Sequence, residues 1–194
     1  MSRSGTLAAP VIRALRQQDR GAVEAVTRRS GGFRPEEVTV ALDVFDAALG
    51  IGRRADPDYE LAAADVEGTL AGWACWGPTP CTRGTFDLYW IVVDRPCQGK
   101  GVGSMLIAEM ERRVQGRARL IVVETAGRDD YASTRAFYER RGYAPASRIA
   151  DYYARGDDLV VYVKRCESQV ASHQSQAATH KSPLETPDSR LGTL

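Results

Sequence analysis

The sequence predicts a single α/β domain built on a central, mixed but mostly antiparallel sheet that helices flank. Two observations predict this class. Several short strands follow one another with turn residues between them, as in an antiparallel meander. A strand, a glycine-rich loop, an amphipathic helix and another strand then occupy residues 85–125. The 194 residues contain no internal repeat and suffice for one sizeable domain, so we expect one domain and not two.

Local patterns predict each element in turn. Strand-forming residues at 10–15 precede a helix at 18–32 that two glycines end. A second helix at 34–50 has Pro35 at its start and Gly50 after its end. The remaining predicted elements are strands at 59–65, 69–77 and 85–93, a helix from the glycine loop to about Gln115, a strand at 119–125, a helix at 131–143, and strands at 147–153 and 158–165.

Composition excludes several classes of protein. The formal net charge of +1 provides no electrostatic footprint for nucleic acid or an anionic membrane surface. The apolar runs are far shorter than the roughly 20 residues of a membrane helix, and the first residues lack the apolar core of a secretory signal. The four cysteines form no CxxC pair, which favours incidental thiols over metal binding or disulfides. We therefore expect a cytoplasmic, metal-free protein with neither nucleic acid nor membrane as partner.

Both histidines lie near the carboxyl end of the chain. His173 and His180 belong to residues 167–194, which are rich in Ser, Thr, Gln and Pro and contain no aromatic residue. Such a segment cannot bury enough apolar surface to offset its conformational entropy, so it is predicted to be a disordered tail. The predicted domain then spans 10–166, after a flexible N-terminus at 1–9. Because this domain has no histidine, a Ser-His-Asp apparatus and a histidine-ligated metal are both excluded there.

The stretch "QGKGVGS" at 98–104 connects a strand to a helix and carries three glycines. It lacks the GxxxxGK[ST] pattern of a P-loop, and its GxGxG spacing departs from the GxGxxG of dinucleotide-binding folds. Glycines let a ligand approach the backbone, and the unpaired N–H groups of a first helical turn favour an anion. A phosphate-bearing ligand is therefore predicted here, although a simple strand-to-helix turn is the alternative.

Two motifs together resemble a known family. The segment "VVDRPCQGKGVGSMLIAEME" at 92–111 resembles the [QR]-x-x-G-x-[GA] motif of the GCN5-related N-acetyltransferases (GNAT), whose loop cradles the pyrophosphate of acetyl-coenzyme A. The segment "AFYERRGY" at 136–143 fits the family's later helix, with its tyrosine and, four residues on, its glycine. Each motif alone is weak, but the pair is specific. The resemblance covers about residues 10–165 and implies a splayed pair of parallel strands, acetyl-CoA as co-substrate and no metal.

The resemblance also implies which residues bind the cofactor. The backbone of the loop is expected to hold the pyrophosphate, and an edge of the preceding strand is expected to hold the pantetheine arm. The N–H of Ile91 is the expected donor to the thioester carbonyl. A cofactor contact is carried over to Tyr131 as well, although the family commonly has an asparagine at that position. The predicted cofactor-binding residues are Ile91, Val92, Val93, Gln98, Gly99, Lys100, Gly101, Val102, Gly103, Ser104, Tyr131 and Tyr138.

Acetyl transfer to an amine needs a base for the ammonium and benefits from an acid for the departing thiolate. Tyr138 matches the tyrosine that commonly serves as this acid in the family. Asp87 and Glu124 are the two candidate bases, and the sequence does not choose between them. Strict alternation along 85–93 predicts that Phe86, Leu88, Trp90 and Val92 share one face, and that Asp87 shares the other face with Ile91. The side chain of Val102 is predicted to pack in the core, together with Met105, Leu106, Met110 and Val114.

The acceptor is less defined, and three alternatives stay open. Aromatic residues and acids suit the primary amine of a small molecule or an amino-acid-like acceptor, and the candidates for its pocket are Phe33, Phe45, Trp76, Tyr89, Tyr131, Tyr152, Tyr153, Asp129 and Asp130. A protein N-terminus or lysine is one alternative acceptor. A coenzyme A sensor without turnover and an unrelated nucleotide-binding module are the others. A monomer and a homodimer are equally compatible with the sequence.

Overall fold

The computed structural model describes residues 9–52 and 55–166. These residues form one sheet with helices packed on both of its faces. The predicted flexible N-terminus, apart from Ala9, lies outside the described residues. So does the predicted tail at 167–194 with both histidines.

The described residues contain four α-helices and seven strands. The helices are α1 (Arg20–Ser30), α2 (Pro35–Ala48), α3 (Val102–Val114) and α4 (Ala132–Glu139). The strands are β1 (Val11–Arg13), β2 (Glu60–Val66), β3 (Thr69–Pro78), β4 (Thr85–Val93), β5 (Leu120–Ala126), β6 (Ala144–Ala154) and β7 (Asp157–Arg165). Short 3-10 turns at Gln17–Asp19, Arg95–Cys97 and Asp129–Tyr131 precede α1, α3 and α4.

The strands lie in the order β1-β2-β3-β4-β5-β7-β6. Every neighbouring pair is antiparallel except β4 and β5, which are parallel and joined through the glycine loop and α3. A parallel pair needs such a crossover because the chain must return to the starting end of the sheet. The prediction of one α/β domain with a mixed, mostly antiparallel sheet is confirmed.

The core has two layers, one on each face of the sheet. On one face α3 and α4 bury Leu106, Met110 and their neighbours, while on the other α1 and α2 bury Val23 and Phe45. Trp73 lies fully buried in the second layer, and its indole N–H donates to the hydroxyl of Thr27 at 3.0 Å. The carboxyl ends of β4 and β5 therefore lie between the α1–α2 layer and the α3–α4 layer.

The structure corrects the predicted alternation along β4. Cys75 of β3 pairs with Trp90 but Trp76 pairs with Leu88, so Tyr89 is an extra residue, a β-bulge. Beyond the bulge the faces exchange: Leu88 packs with the α3 layer, whereas Trp90 packs with the α1–α2 layer. The prediction that Phe86, Leu88, Trp90 and Val92 share one face is therefore wrong. Strict alternation assumes one residue opposite each partner, and the inserted Tyr89 breaks this pattern.

Other predictions differ in detail. Strand β1 has three residues instead of six, and β6 begins at Ala144, ahead of the predicted 147. In α3, Met105 is only half-buried, and Ile107 lies in the core instead. The remaining predicted stripe is buried, including the side chain of Val102.

None of the described helices combines the length and apolar character needed to cross a membrane. No group of three or more His, Cys, Asp or Glu side chains in this part of the chain is arranged to hold a metal ion. All four cysteines are free thiols, and Cys75 is buried in the core.

Candidate active site

The parallel strands β4 and β5 part halfway along their length. Their pairing runs from Thr85 opposite Leu120 to Leu88 opposite Val123 and ends there. Both strands continue, β4 by five more residues to its end at Val93. The bulge at Tyr89 lies where pairing stops, and a bulge bends its strand and increases its twist. Strand β4 thus stays paired with β3 while leaving β5, which opens a gap in the sheet.

The backbone of Ile91 and Val93 faces this gap. The N–H of Asp94 donates to the carbonyl of Ala71 in β3 at 2.8 Å. Because N–H groups alternate in direction along a strand, the N–H of Val92 also points at β3, and those of Ile91 and Val93 point away from it. The side chain of Val92 lies in the core. Among the three predicted strand residues, Ile91 and Val93 therefore direct their backbone N–H and C=O groups at the gap. The carbonyl of Val93 accepts a hydrogen bond from the side-chain amide of Gln98 at 3.1 Å.

A cavity of about 820 Å³ occupies the gap and extends over the face of the sheet that carries α1 and α2. Its walls come from β4, β5, the start of α4 and the loop between α1 and α2. The predicted site residues that line it are Asp87, Ile91, Val92, Val93, Gln98, Glu124, Tyr131 and Tyr138. The fold thus brings the proposed acid and both proposed bases into one cavity.

Tyr138 lies on α4 and is only 3% exposed. Its ring packs against those of Tyr143 and Tyr162, with centroids 5.8 and 6.0 Å away. Its hydroxyl has no hydrogen-bond partner in the described part of the chain, while the residue contributes to the cavity wall. Burial raises the pKa of Tyr138 above its ordinary value, so the hydroxyl keeps its proton at neutral pH. A protonated, unpaired hydroxyl is what a general acid requires.

Asp87 and Glu124 line the same cavity from adjacent strands. Asp87 is opposite Val122 in the parallel register, so Glu124, two residues further along β5, extends from the same face as Asp87. The hydroxyl of Thr79 donates to Asp87 at 2.7 Å. Partial removal of water raises the pKa of Glu124, and the charge of Asp87 raises it further. Glu124 is therefore more basic than an ordinary glutamate.

The glycine loop follows β4 and begins α3. Gly99 and Gly101 have φ of 73° and 87°, a region that side chains disfavour, and a Cβ on either would meet open space. The N–H of Met105 makes the first intrahelical bond, to Gly101 at 3.0 Å. The N–H groups of the preceding first turn therefore have no partner within the helix. An open, positively polarised backbone of this kind is suited to an anion.

The other loop residues have different surroundings. The amide of Gln98 donates to the carbonyls of Ser30 and Val93, which ties the loop to the end of α1 and to β4. Lys100 is exposed. At Gly103 a Cβ would lie 3.4 Å from the ring of Phe137, so this glycine permits α3 and α4 to pack closely.

Tyr131 joins two walls of the cavity. Its hydroxyl donates to the carbonyl of Gly32, in the loop between α1 and α2, and the Arg128 guanidinium lies 4.6 Å from its ring centroid. Burial raises the pKa of Tyr131, so this donor stays protonated. Its cofactor contact stays a prediction, because the hydroxyl is already engaged within the protein.

The predicted acceptor residues separate into two groups. Those that line the cavity are Phe33, Tyr89, Tyr131, Tyr153 and Asp130. The others do not: Phe45 and Trp76 are fully buried in the core, Tyr152 is exposed elsewhere, and Asp129 is outside the lining. Sequence reasoning missed Arg128 and Asp157, which pair at 3.3 Å in the cavity wall. Only the pairing of β7 beside β5 brings Asp157 there, and no local pattern signals it.

These features fit acetyl-CoA. The open first turn of α3 offers donors to a pyrophosphate, and the unpaired edge of Ile91 and Val93 offers donors and acceptors to the amides of a pantetheine arm. Ile91, Val93 and Gln98 line the cavity to which Tyr138 contributes, whereas residues 99–104 lie outside its lining. The described residues therefore could hold this co-substrate without a metal.

Known proteins share the sequence and the fold. The family model "Acetyltransferase (GNAT) family" matches residues 27–143. A crystal structure of a protein of the GNAT family from Desulfovibrio desulfuricans is 38% identical, with a TM-score of 0.75 over 81% of this chain and 99% of that one. An uncharacterized N-acetyltransferase of Methanocaldococcus jannaschii is 24% identical over 80% of this chain and 91% of its own length.

A more distant structure has the same fold with a ligand in place. A Salmonella typhimurium protein, solved with its cofactor acetyl-CoA, has a TM-score of 0.65 and 17% identity over 84% of this chain and 98% of that one. The family match covers more than half of this chain, and it includes the glycine loop and Tyr138. This chain therefore belongs to the GNAT family and is an N-acetyltransferase, an enzyme of the acyltransferase class.

Proposed function

We propose that this enzyme transfers the acetyl group of acetyl-CoA directly to a primary amine of a small-molecule or amino-acid-like acceptor. Members of the family use acetyl-CoA and an acceptor substrate. The proposal rests on the side chains around the gap between β4 and β5. One observation about their charges carries it.

Six carboxylates line the cavity, and two of them have no ion-pair partner among the described residues. Glu36 and Glu37 pair with Arg34, and Asp130 and Asp157 pair with Arg128. The two unpaired carboxylates are Asp87 and Glu124, which face the cavity from the strands that part. An ammonium group is the counter-charge that such a pair attracts, which supports an amine as the acceptor.

Glu124 is our choice of general base. Its pKa is raised by burial and by Asp87, and a base of higher pKa takes a proton from an ammonium more readily. Glu124 accepts the proton that the ammonium must lose before its nitrogen can attack. Asp87, which accepts a hydrogen bond from Thr79, lies beside Glu124, and its charge attracts the ammonium and raises the pKa of Glu124.

Tyr138 and Ile91 act on the other reactant. Acetyl-CoA supplies an activated acetyl thioester when it is bound. The N–H of Ile91 is directed at the gap and is available to donate to the thioester carbonyl oxygen. The hydroxyl of Tyr138 donates its proton to the sulfur as the carbon–sulfur bond breaks, so the coenzyme leaves as a thiol.

Direct transfer is supported by the nucleophiles around the cavity. A relay through a cysteine acyl-enzyme would require a thiol beside the thioester. None of the four cysteines, all of which are described, belongs to the cavity lining. The acceptor amine is then the nucleophile itself, and both substrates must bind at once.

The test is a screen of amines for acetyl-CoA-dependent release of free thiol, with mass spectrometry to identify acetylated products. The panel contains small amines, amino acids and peptides with free N-termini or lysines. Turnover of small amines with intersecting initial-rate patterns supports the proposal. Acetylation of peptides alone would assign the alternative acceptor class. Binding of acetyl-CoA without turnover of any amine would favour a non-catalytic module and contradict the proposal. The cytoplasmic location and the oligomeric state stay predictions from the sequence.

A further inference from the structure

Arg141 lies against the first turn of α3, beside the glycine loop. It follows α4, and its guanidinium donates to the hydroxyl of Ser104 and, at 3.1 Å, to the carbonyl of Phe137. The guanidinium carbon lies 3.7 Å from the centroid of the Phe137 ring, and this ring also packs on Gly103. Stacking and hydrogen bonding therefore hold Arg141 in one orientation at the amino end of α3.

This arginine has no carboxylate within ion-pair distance in the described part of the chain. The carboxylate with most influence on it is Glu111, which is already engaged by Tyr143 and Lys164. Burial and the neighbouring Arg140 lower the pKa of Arg141, which shows that its charge is poorly compensated. A cation is also unfavourable at the positive end of a helix dipole.

The guanidinium of Arg141 is fixed in orientation, has no counter-charge among the described residues and lies beside the unpaired N–H groups of the first turn of α3. An anion bound by both would explain this arrangement. We propose that Arg141 binds a phosphate group of coenzyme A, in addition to the loop backbone. This inference rests on the proposed use of acetyl-CoA and adds a binding residue to it. The ligand offers this chemistry in its pyrophosphate and in its 3′-phosphate. A guanidinium suits either one because its fork of N–H donors matches phosphate oxygens.

The sequence contains a matched control. Arg140 precedes Arg141 and carries the same charge at the same end of α4, but it is exposed and does not contact Ser104. Arg140→Met and Arg141→Met therefore change the net charge equally. Methionine also preserves much of the unbranched stem, so Arg141→Met keeps apolar contact with Phe137.

The test is calorimetric titration of coenzyme A into the wild type and both variants, with melting temperatures of the free proteins measured beside it. We expect Arg141→Met to weaken binding about 10-fold or more, as loss of a charge-assisted hydrogen bond does. Arg140→Met should weaken it less than about 3-fold, because a distant exposed charge is screened. If Arg141→Met does not fold, Arg141→Gln replaces it under the same criterion.

A second titration with dephospho-coenzyme A identifies the phosphate. If the effect of Arg141→Met disappears with this ligand, Arg141 binds the 3′-phosphate; if the effect persists, it binds the pyrophosphate. Both results support the proposal. Equal affinities of Arg141→Met and wild type, or equal losses in the two methionine variants, would overturn it. If the wild type bound no coenzyme A, the proposed function would fail together with this inference.

Steady-state kinetics separate binding from chemistry. Arg141 is outside the cavity lining, so Arg141→Met should raise the KM for acetyl-CoA and leave kcat at saturation nearly unchanged. A fall in kcat without a change in KM would contradict a binding role.

Discussion

The hydroxyl of Tyr131 donates a hydrogen bond to the carbonyl of Gly32, which is 99 residues away in the sequence. Both residues line the cavity, one from the start of α4 and the other from the loop between α1 and α2. The contact therefore joins the two walls on either side of the sheet gap. It also uses the residue at which the family commonly has an asparagine.

Tyr131→Phe removes this bond and little volume. We expect the free energy of unfolding to fall by about 0.5–1.5 kcal/mol, the usual net contribution of one hydrogen bond. Chemical denaturation measures the change. Tyr152→Phe is the control, since Tyr152 is 56% exposed. Equal stabilities of the two variants would mean that the Tyr131 bond does not hold the walls together.

Tyr138→Phe removes the proposed acid. Because the ring and its packing remain, coenzyme A should bind with nearly unchanged affinity, while kcat falls by about 10²–10⁴-fold. Tyr162→Phe serves as the control: it removes a hydroxyl that donates to Glu139, outside the cavity, and should keep its activity. Full activity of Tyr138→Phe at all pH values would make Tyr138 a structural residue.

The pH dependence of kcat/KM tests the base. Glu124 must be ionised to accept a proton, so activity should fall as the pH drops through its raised pKa, above the ordinary range of a glutamate. Asp87→Asn removes the charge that helps raise this pKa and should shift the acidic limb to lower pH. Glu124→Gln should abolish the limb and most of the activity. If the acidic limb of Asp87→Asn lay at the same pH as that of the wild type, the charge of Asp87 would not influence the pKa of Glu124.

The raised pKa of Glu124 also predicts how this residue affects the stability of the fold. A carboxyl whose pKa is higher in the folded state binds its proton more tightly there, so its contribution is favourable at low pH and is lost as the pH rises through the folded value. At neutral pH the ionised Glu124 is therefore unfavourable for folding. We expect Glu124→Gln to raise the melting temperature at pH 7 and to lose this advantage near pH 4. A variant that is less stable than the wild type at pH 7 would contradict this.

Gly101→Asp tests the loop, and Gly116→Asp is its matched control. Both glycines have positive φ, 87° and 77°, and a Cβ on either meets open space, so backbone strain and added charge are equal. Only Gly101 begins α3, where an aspartate would repel a pyrophosphate. We expect Gly101→Asp to lose coenzyme A binding in titration and Gly116→Asp to keep it. If the two variants bound coenzyme A with similar affinity, the loop would be a strand-to-helix turn and not a phosphate site.

Local sequence was sufficient for the fold class, most elements and the glycine loop. The loop could be predicted because a positive φ, a first helical turn and the spacing of Gln98, Gly101 and Gly103 are all properties of neighbouring residues. Tyr138 was predictable for the same reason, since "AFYERRGY" is a continuous motif. The resemblance then supplied the family, which the comparisons confirm.

Tertiary structure alone decided the features that depend on contacts between distant segments. The bulge at Tyr89 could not be predicted, because it arises from the register of β4 against β3 and not from the composition of β4. The bond from Tyr131 to Gly32 and the position of Arg141 beside Ser104 likewise join segments 99 and 37 residues apart. Sequence patterns report the neighbours that a residue has along the chain. The surroundings that make Glu124 basic and Arg141 uncompensated exist only once the sheet and the helices have packed.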